Sequence, residues 1–364
     1  MNIPYTPFAH HHHASLDFIR GLAVLGMFLT HYVPTHTDGT ILGSIFAYLT
    51  TLAYGKASAL FCILAGISWS FMAQRHQSNP RLSLYYFRRS IGLVLMGGVM
   101  RFVLWPSEIL TSFALYMWLM WFFLFSKKRT LCYGLVLCTL AVIPLNLYFA
   151  HYVSTDWASD GSYLKAWSFG SETLRYYFFN GDYPVFPFLS FIFTGVMIGR
   201  INWYTIGYAS RVCMIGGTLF LLCFIYQIWI EQNPTILISY RAHFLNTWIP
   251  TTVLFFLSGT SVALFLLGGI FWLELSHIPF NYFLYRFVCS LGRLSLTHYL
   301  LHITLTYPIL KLYWPDWDWS ARVGAWVFIG YLCICFIFYR LGFGTKKRGP
   351  AEWCIRALSG RLKA

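Results

Sequence analysis

Two segments of this sequence carry guanidinium and imidazole groups at helical spacing inside otherwise apolar runs. The first, residues 15–31, reads SLDFIRGLAVLGMFLTH. Asp17 and Arg20 are one turn apart and can pair. His31 follows Arg20 by eleven residues, about 16 Å further along a helix. The second, residues 292–302, reads GRLSLTHYLLH, with Arg293 at one end and His302 nine residues on, about 13 Å away. Charged side chains in hydrocarbon cost roughly 2.5–3.5 kcal/mol each, so their presence asks for a reason. Arginine forks grip phosphate, and imidazole is the usual general base near neutral pH. Together they suggest a phosphate-bearing donor held at one membrane face, with its reactive end inside a helical bundle. Plainer uses exist. Arg20 can snorkel to lipid phosphates, with His31 an interface residue. His298 and His302, at i and i+4, can be a satisfied interior pair or two ligands of a metal. No HExxH glutamate or nearby third ligand supports the metal, and none is expected.

These residues must be positioned by membrane-spanning helices. Of the 364 residues 58% are hydrophobic, 20% aromatic and only 10% charged. A soluble domain carries roughly a quarter charged residues, so a cytosolic enzyme, a disordered chain and a disulfide framework are excluded. A spanning helix needs about 20 apolar residues. Runs near that size fall at 16–34, 57–74, 87–104, 109–125, 130–149, 185–199, 212–230, 248–272, 287–308 and 321–340. The fold class is therefore all-α: a polytopic integral membrane helix bundle of about ten transmembrane helices. The run 185–199 is short and can borrow Tyr176–Phe179, and 41–55 is too short to cross, which reads as a re-entrant or interfacial segment. The expected division is an N-terminal tail (1–15), a transmembrane domain (16–340) and a basic tail (341–364).

Charge orients the chain. The net charge is +14. Loops assigned to the cytoplasm hold 17 Lys and Arg against Glu274 and Glu352, whereas those assigned outside hold four bases and nine acids. Both termini are then cytoplasmic. If 41–55 did cross, there would be eleven passes and the N-terminus would lie outside. The basic excess fits anionic lipid headgroups, and with no basic stripe on a polar face nucleic acid is not an expected partner. The nine cysteines show no paired CxxC spacing and read as apolar packers. His10–His13 is short for a metal tract or a tag. The N-terminal stretch lacks a basic n-region and a small-residue cleavage site, so the first span is its own insertion signal. Gly195 and Gly199 form a small-xxx-small pair suited to helix packing.

The stretch 16–27 (LDFIRGLAVLGM), with ten residues between Arg20 and His31, resembles the opening of the transmembrane acyltransferase superfamily, including the R-x10-H signature of acyltransferase-three proteins. The stretch 58–69 (SALFCILAGISW), the segment from Phe186-Pro187 through Gly195 to Gly199-Arg200, and residues 292–297 (GRLSLT) look more like the heparan-alpha-glucosaminide N-acetyltransferase catalytic domain and its bacterial relatives. The resemblance covers roughly a quarter of the chain, residues 15–75, 184–200 and 290–303. It implies a membrane acyltransferase of the bacterial inner membrane that takes an acyl (acetyl) group from cytoplasmic acyl-CoA to a sugar or amino sugar on the far side. Heparan-type enzymes place the catalytic histidine in the first far-side loop, which here offers His36. The R-x10-H pattern points instead to His31, which is favoured because it shares a well-defined helix with Arg20; His302 is the further candidate.

On this basis Arg20, Arg293 and Arg286 hold CoA phosphates, Asp17 orients Arg20, and His31 deprotonates the acceptor as it attacks the thioester. A route through acyl-histidine is also open. Ser295, Thr297 and Tyr299 are candidate oxyanion donors. The long external segment 150–184 offers Trp157, Trp167 and Asp182 to the acceptor, although its aromatic residues also suit a headgroup belt. Association of two copies as a homodimer is compatible with all of this. The alternative function is a transporter or channel for a small anionic or sugar-like solute, since buried Arg and His also line ion paths; no inverted repeat is evident in the sequence.

Overall fold

The computed structural model describes residues 14–103, 107–148, 170–201, 205–233, 235, 245–247, 251–276, 282–314 and 319–360. Among them every regular element is helical: α1 (Ala14–Tyr32), α2 (Ile41–Ala53), α3 (Lys56–His76), α4 (Leu82–Val103), α5 (Leu110–Trp121), α6 (Lys128–Leu140), α7 (Ser171–Arg175), α8 (Val185–Ile198), α9 (Ile206–Gln232), α10 (Val253–Leu275), α11 (Tyr282–Arg293), α12 (Ser295–Leu301), α13 (Tyr307–Tyr313), α14 (Ala321–Arg340) and α15 (Pro350–Ser359). Two π-helical turns, Tyr176–Asn180 and His302–Thr306, interrupt the α-pattern.

Among the described residues, five helices are long and apolar enough to cross a membrane, or six if the segments 171–180 and 185–198, bent by 48°, form one span. The apolar composition and these helices make the chain a multi-pass membrane protein. The five do not include α1, whose hydropathy is lowered by Asp17, Arg20 and His31, or α5, which has only 12 residues. The expected single helix over 287–308 is corrected. It breaks at Leu294, whose φ of −103° and ψ of 19° leave the helical region, and again at the π-turn after Leu301.

The chain divides into two compact units. The first comprises residues 62–268 together with 358–360. Within it α8 packs on α3 without intervening side chains: a Cβ at Gly195 would collide with the Ile63 carbonyl, and one at Gly66 with that of Ile192. Gly199 lies over Ser70, and its carbonyl accepts from Gln74 Nε2 at 2.8 Å. The Arg200 guanidinium donates to the carbonyls of Ser126 (2.7 Å) and Leu124 (2.8 Å), two acceptors left open where α5 ends.

The second unit comprises residues 12–61 and 269–357. Its axis is the α1–α11 crossing, where Gly21 faces the Val288 carbonyl and Gly292 faces that of Asp17. At Gly324, α14 comes equally close to the Tyr32 carbonyl, which also accepts from Trp319 Nε1 at 2.7 Å. Thr40 caps α2, and the Asp38 carboxylate accepts from the Thr40 hydroxyl (2.6 Å), the Thr40 N–H (3.1 Å) and the Arg322 N–H (2.9 Å). Those bonds hold its carboxyl well below the usual carboxylate range, the Thr40 hydroxyl contributing most. Residues 341–357 belong to this unit.

Candidate active site

The close crossing of α1 and α11 lets one carboxylate serve two guanidiniums. Asp17 is buried, 6% exposed. Its Oδ1 accepts from Arg20 Nη1 at 3.2 Å and its Oδ2 from Arg293 Nε at 2.7 Å. Arg293 Nη1 also donates to the Gly344 carbonyl at 3.1 Å. Two cations on one anion leave a local charge of +1, suited to phosphate. The expectation that Asp17 orients Arg20 is thereby widened, because it ties Arg293 to the same point. Arg286 is not in the cluster: it is exposed and stacks on Tyr282, 5.1 Å from the ring centre.

At the other end of α1, His31 meets His302. His31 Nδ1 lies 2.8 Å from His302 Nε2, with the ring planes inclined by 23°. His302 is 1% exposed, and its Nδ1 is 3.0 Å from the His298 carbonyl. A carbonyl only accepts, so His302 Nδ1 carries the proton and Nε2 is the ring's lone-pair atom. His31 Nδ1–H must then be the donor across the 2.8 Å contact, which makes Nε2 the basic position of His31. Tyr32 donates its hydroxyl to the His302 carbonyl at 3.1 Å. The Phe28 ring lies 5.5 Å from that of His302 and 4.3 Å from that of Tyr331, centre to centre. His298 is fully buried with no partner at Nε2, and its Nδ1 lies 3.6 Å from Cys335 Sγ.

The other candidates fall elsewhere. His36 is exposed on the loop between α1 and α2. Ser295 opens α12, and the buried Tyr299 ring lies 5.6 Å from that of His302, tilted by 59°. The Thr297 hydroxyl is engaged by the Glu352 carboxylate, which takes it away from an oxyanion. Trp157, Trp167 and His10–His13 lie outside the described residues. Asp182 belongs to the other unit, where it accepts from the Tyr176 hydroxyl at 2.8 Å. The Arg101 guanidinium lies over Tyr176 and Tyr177, 4.6 and 5.6 Å from the ring centres, and also faces Asp182 and Glu108. Burial pushes the Glu108 carboxyl above its ordinary range. Among the described residues no group of three or more His, Cys, Asp and Glu gathers as a metal would need.

Sequence reasoning missed Glu352, Tyr32, Tyr331 and the Arg101 cluster. Glu352 carried a signal, as the only acid among the tail's basic residues. Tyr331 and Arg101 looked like ordinary members of apolar helices.

Apolar helices of spanning length, with guanidiniums, a buried carboxylate and imidazoles set among them, define a multi-pass integral membrane protein with ionisable groups in its interior. The family model for the heparan-alpha-glucosaminide N-acetyltransferase catalytic domain matches residues 13–227, more than half of the chain. The chain belongs to this acyltransferase family. The match includes Arg20 and His31 and ends before Arg293 and His302. No curated protein and no solved structure matches the chain.

Proposed function

We propose that this protein takes an acetyl group from cytoplasmic acyl-CoA to the amine or hydroxyl of a sugar at the far face of a bacterial inner membrane. About ten crossings are proposed, with both termini cytoplasmic and α2 re-entrant or interfacial. Arg20 and Arg293 hold CoA phosphates, and exposed Arg286 attracts them. The observation that carries the proposal is the 2.8 Å contact between His31 Nδ1 and His302 Nε2. It supports Nε2 as the basic nitrogen of His31, with His302 as a neutral acceptor for the proton that His31 keeps.

The step balances simply. The acceptor lone pair attacks the thioester carbonyl while His31 Nε2 takes the acceptor's proton. The new C–N or C–O bond forms as the C–S bond breaks, and the CoA thiolate leaves with the bonding pair. It is protonated from the imidazolium, so His31 is restored. The His302 Nε2 lone pair favours the transient imidazolium through the shared hydrogen bond.

The test is transfer of labelled acetyl from acetyl-CoA to glucosamine-type acceptors by protein in sealed vesicles. His31→Ala is expected to abolish it. Transfer that persists unchanged in that variant refutes the assignment, and solute flux without any need for CoA refutes the acyltransferase. Thiol labelling of His36→Cys from the outer face tests the topology.

A further inference from the structure

The short helix that carries His298 and leads into His302 does not cap itself. Ser295–Leu301 has only seven residues, begins after the break at Leu294, and has no side-chain cap from its own flank. The first N–H groups of any helix lack intrahelical partners. Here a side chain from more than fifty residues downstream supplies them. Glu352 Oε1 accepts from Leu296 N (2.9 Å) and Thr297 N (3.0 Å), while Oε2 accepts the Thr297 hydroxyl. The Ala351 N–H donates back to that hydroxyl oxygen at 3.2 Å. Any side chain at Gly349 would strike both the Glu352 carboxylate and the Thr297 hydroxyl. On the other side of the break, the Gly344 carbonyl takes Arg293 Nη1. The segment 344–352 thus stitches both edges of the Leu294 discontinuity.

We infer that Glu352 is a positioning residue for the imidazole pair, so that the C-terminal helix α15 is part of the reaction apparatus. Its role in catalysis rests on the function proposed above. The linkage is short. Glu352 holds Thr297; the next residue, His298, offers the carbonyl that fixes the His302 tautomer; and His302 faces His31. Release of the clip frees the first turn of α12 and lets the His298 carbonyl drift from His302 Nδ1. A chain lacking this contact keeps its imidazoles but not their register.

The test compares full-length wild type, Glu352→Ala, Glu352→Gln and Thr297→Val in nanodiscs. Amide hydrogen exchange is read over residues 294–302, and kcat and KM are read separately for labelled acetyl-CoA. Glu352→Ala is expected to speed exchange of the Leu296 and Thr297 amides by about tenfold, and to lower kcat about tenfold at unchanged KM. Glu352→Gln keeps an acceptor oxygen and is expected to restore both. Thr297→Val keeps the amides and loses only the hydroxyl, so its kcat falls less; it serves if the alanine variant fails to fold. Unchanged exchange in Glu352→Ala overturns the clip. Faster exchange with unaltered kcat per folded molecule overturns the positioning role. A wild type that transfers no acetyl refutes the function and the catalytic role with it, while the exchange measurement still decides whether Glu352 holds α12.

Discussion

Replacing His302 by alanine probes the imidazole pair most directly. When His31 takes a proton from the acceptor it becomes an imidazolium, whose Nδ1–H points at His302 Nε2 over 2.8 Å. A hydrogen bond to a charged group contributes roughly 1.5–3 kcal/mol net, and about 1.4 kcal/mol is a factor of ten in rate. His302→Ala should therefore lower kcat about 10- to 150-fold. His31→Ala removes the base itself, a loss of about 100- to 10,000-fold. Because His302 acts only through His31, the double variant should be no slower than His31→Ala alone. The assay is steady-state transfer of labelled acetyl, normalised to folded protein by size-exclusion chromatography. A His302→Ala enzyme within threefold of wild type, or a double variant slowed by the product of the single effects, refutes the support of His31 by His302.

Other predictions concern the frame. At Gly292 a methyl group would meet the Asp17 carbonyl, whereas Gly330 has open space around it; thermal unfolding should show Gly292→Ala destabilised by about 1–3 kcal/mol or more and Gly330→Ala unharmed. Arg101, 8% exposed, faces Asp182 and Glu108, so Arg101→Ala should leave buried carboxylates uncompensated at a cost of about 3–5 kcal/mol, seen as a lower Tm. Asp38 has a depressed pKa in the folded state. Its contribution is therefore fully present above the ordinary carboxylate pKa of about 3.9 and is lost as pH falls through the lower folded value. Melting curves of wild type and Asp38→Asn should differ at pH 7 and converge in acid; parallel curves would contradict the assignment.

The positions of most helices were legible from apolar runs, because burying backbone in lipid leaves the α-helix as the general solution. Where the sequence misled, local dihedrals and remote partners decided. Residues 287–308 form one apolar run, yet Leu294 breaks it, since the orphan N–H groups beyond the break find Glu352. The basic tail gave no sign of where it anchors: the Gly344 carbonyl accepts from Arg293 and the Glu352 carboxylate takes three hydrogen bonds from Leu296 and Thr297.

By itself the sequence determined an all-helical membrane chain, which residues carry guanidinium and imidazole groups, and their heights along α1: each follows from composition and from the fixed 1.5 Å rise of a helix. Only the tertiary structure decided that Asp17 joins two arginines, that His31 pairs with His302 rather than standing alone, and that His302 is held in one tautomer. The Asp17–Arg293 and His31–His302 contacts join segments more than 270 residues apart in the chain. They exist because Gly21 and Gly292 let two backbones approach to contact, a distance that no periodicity along a single helix encodes.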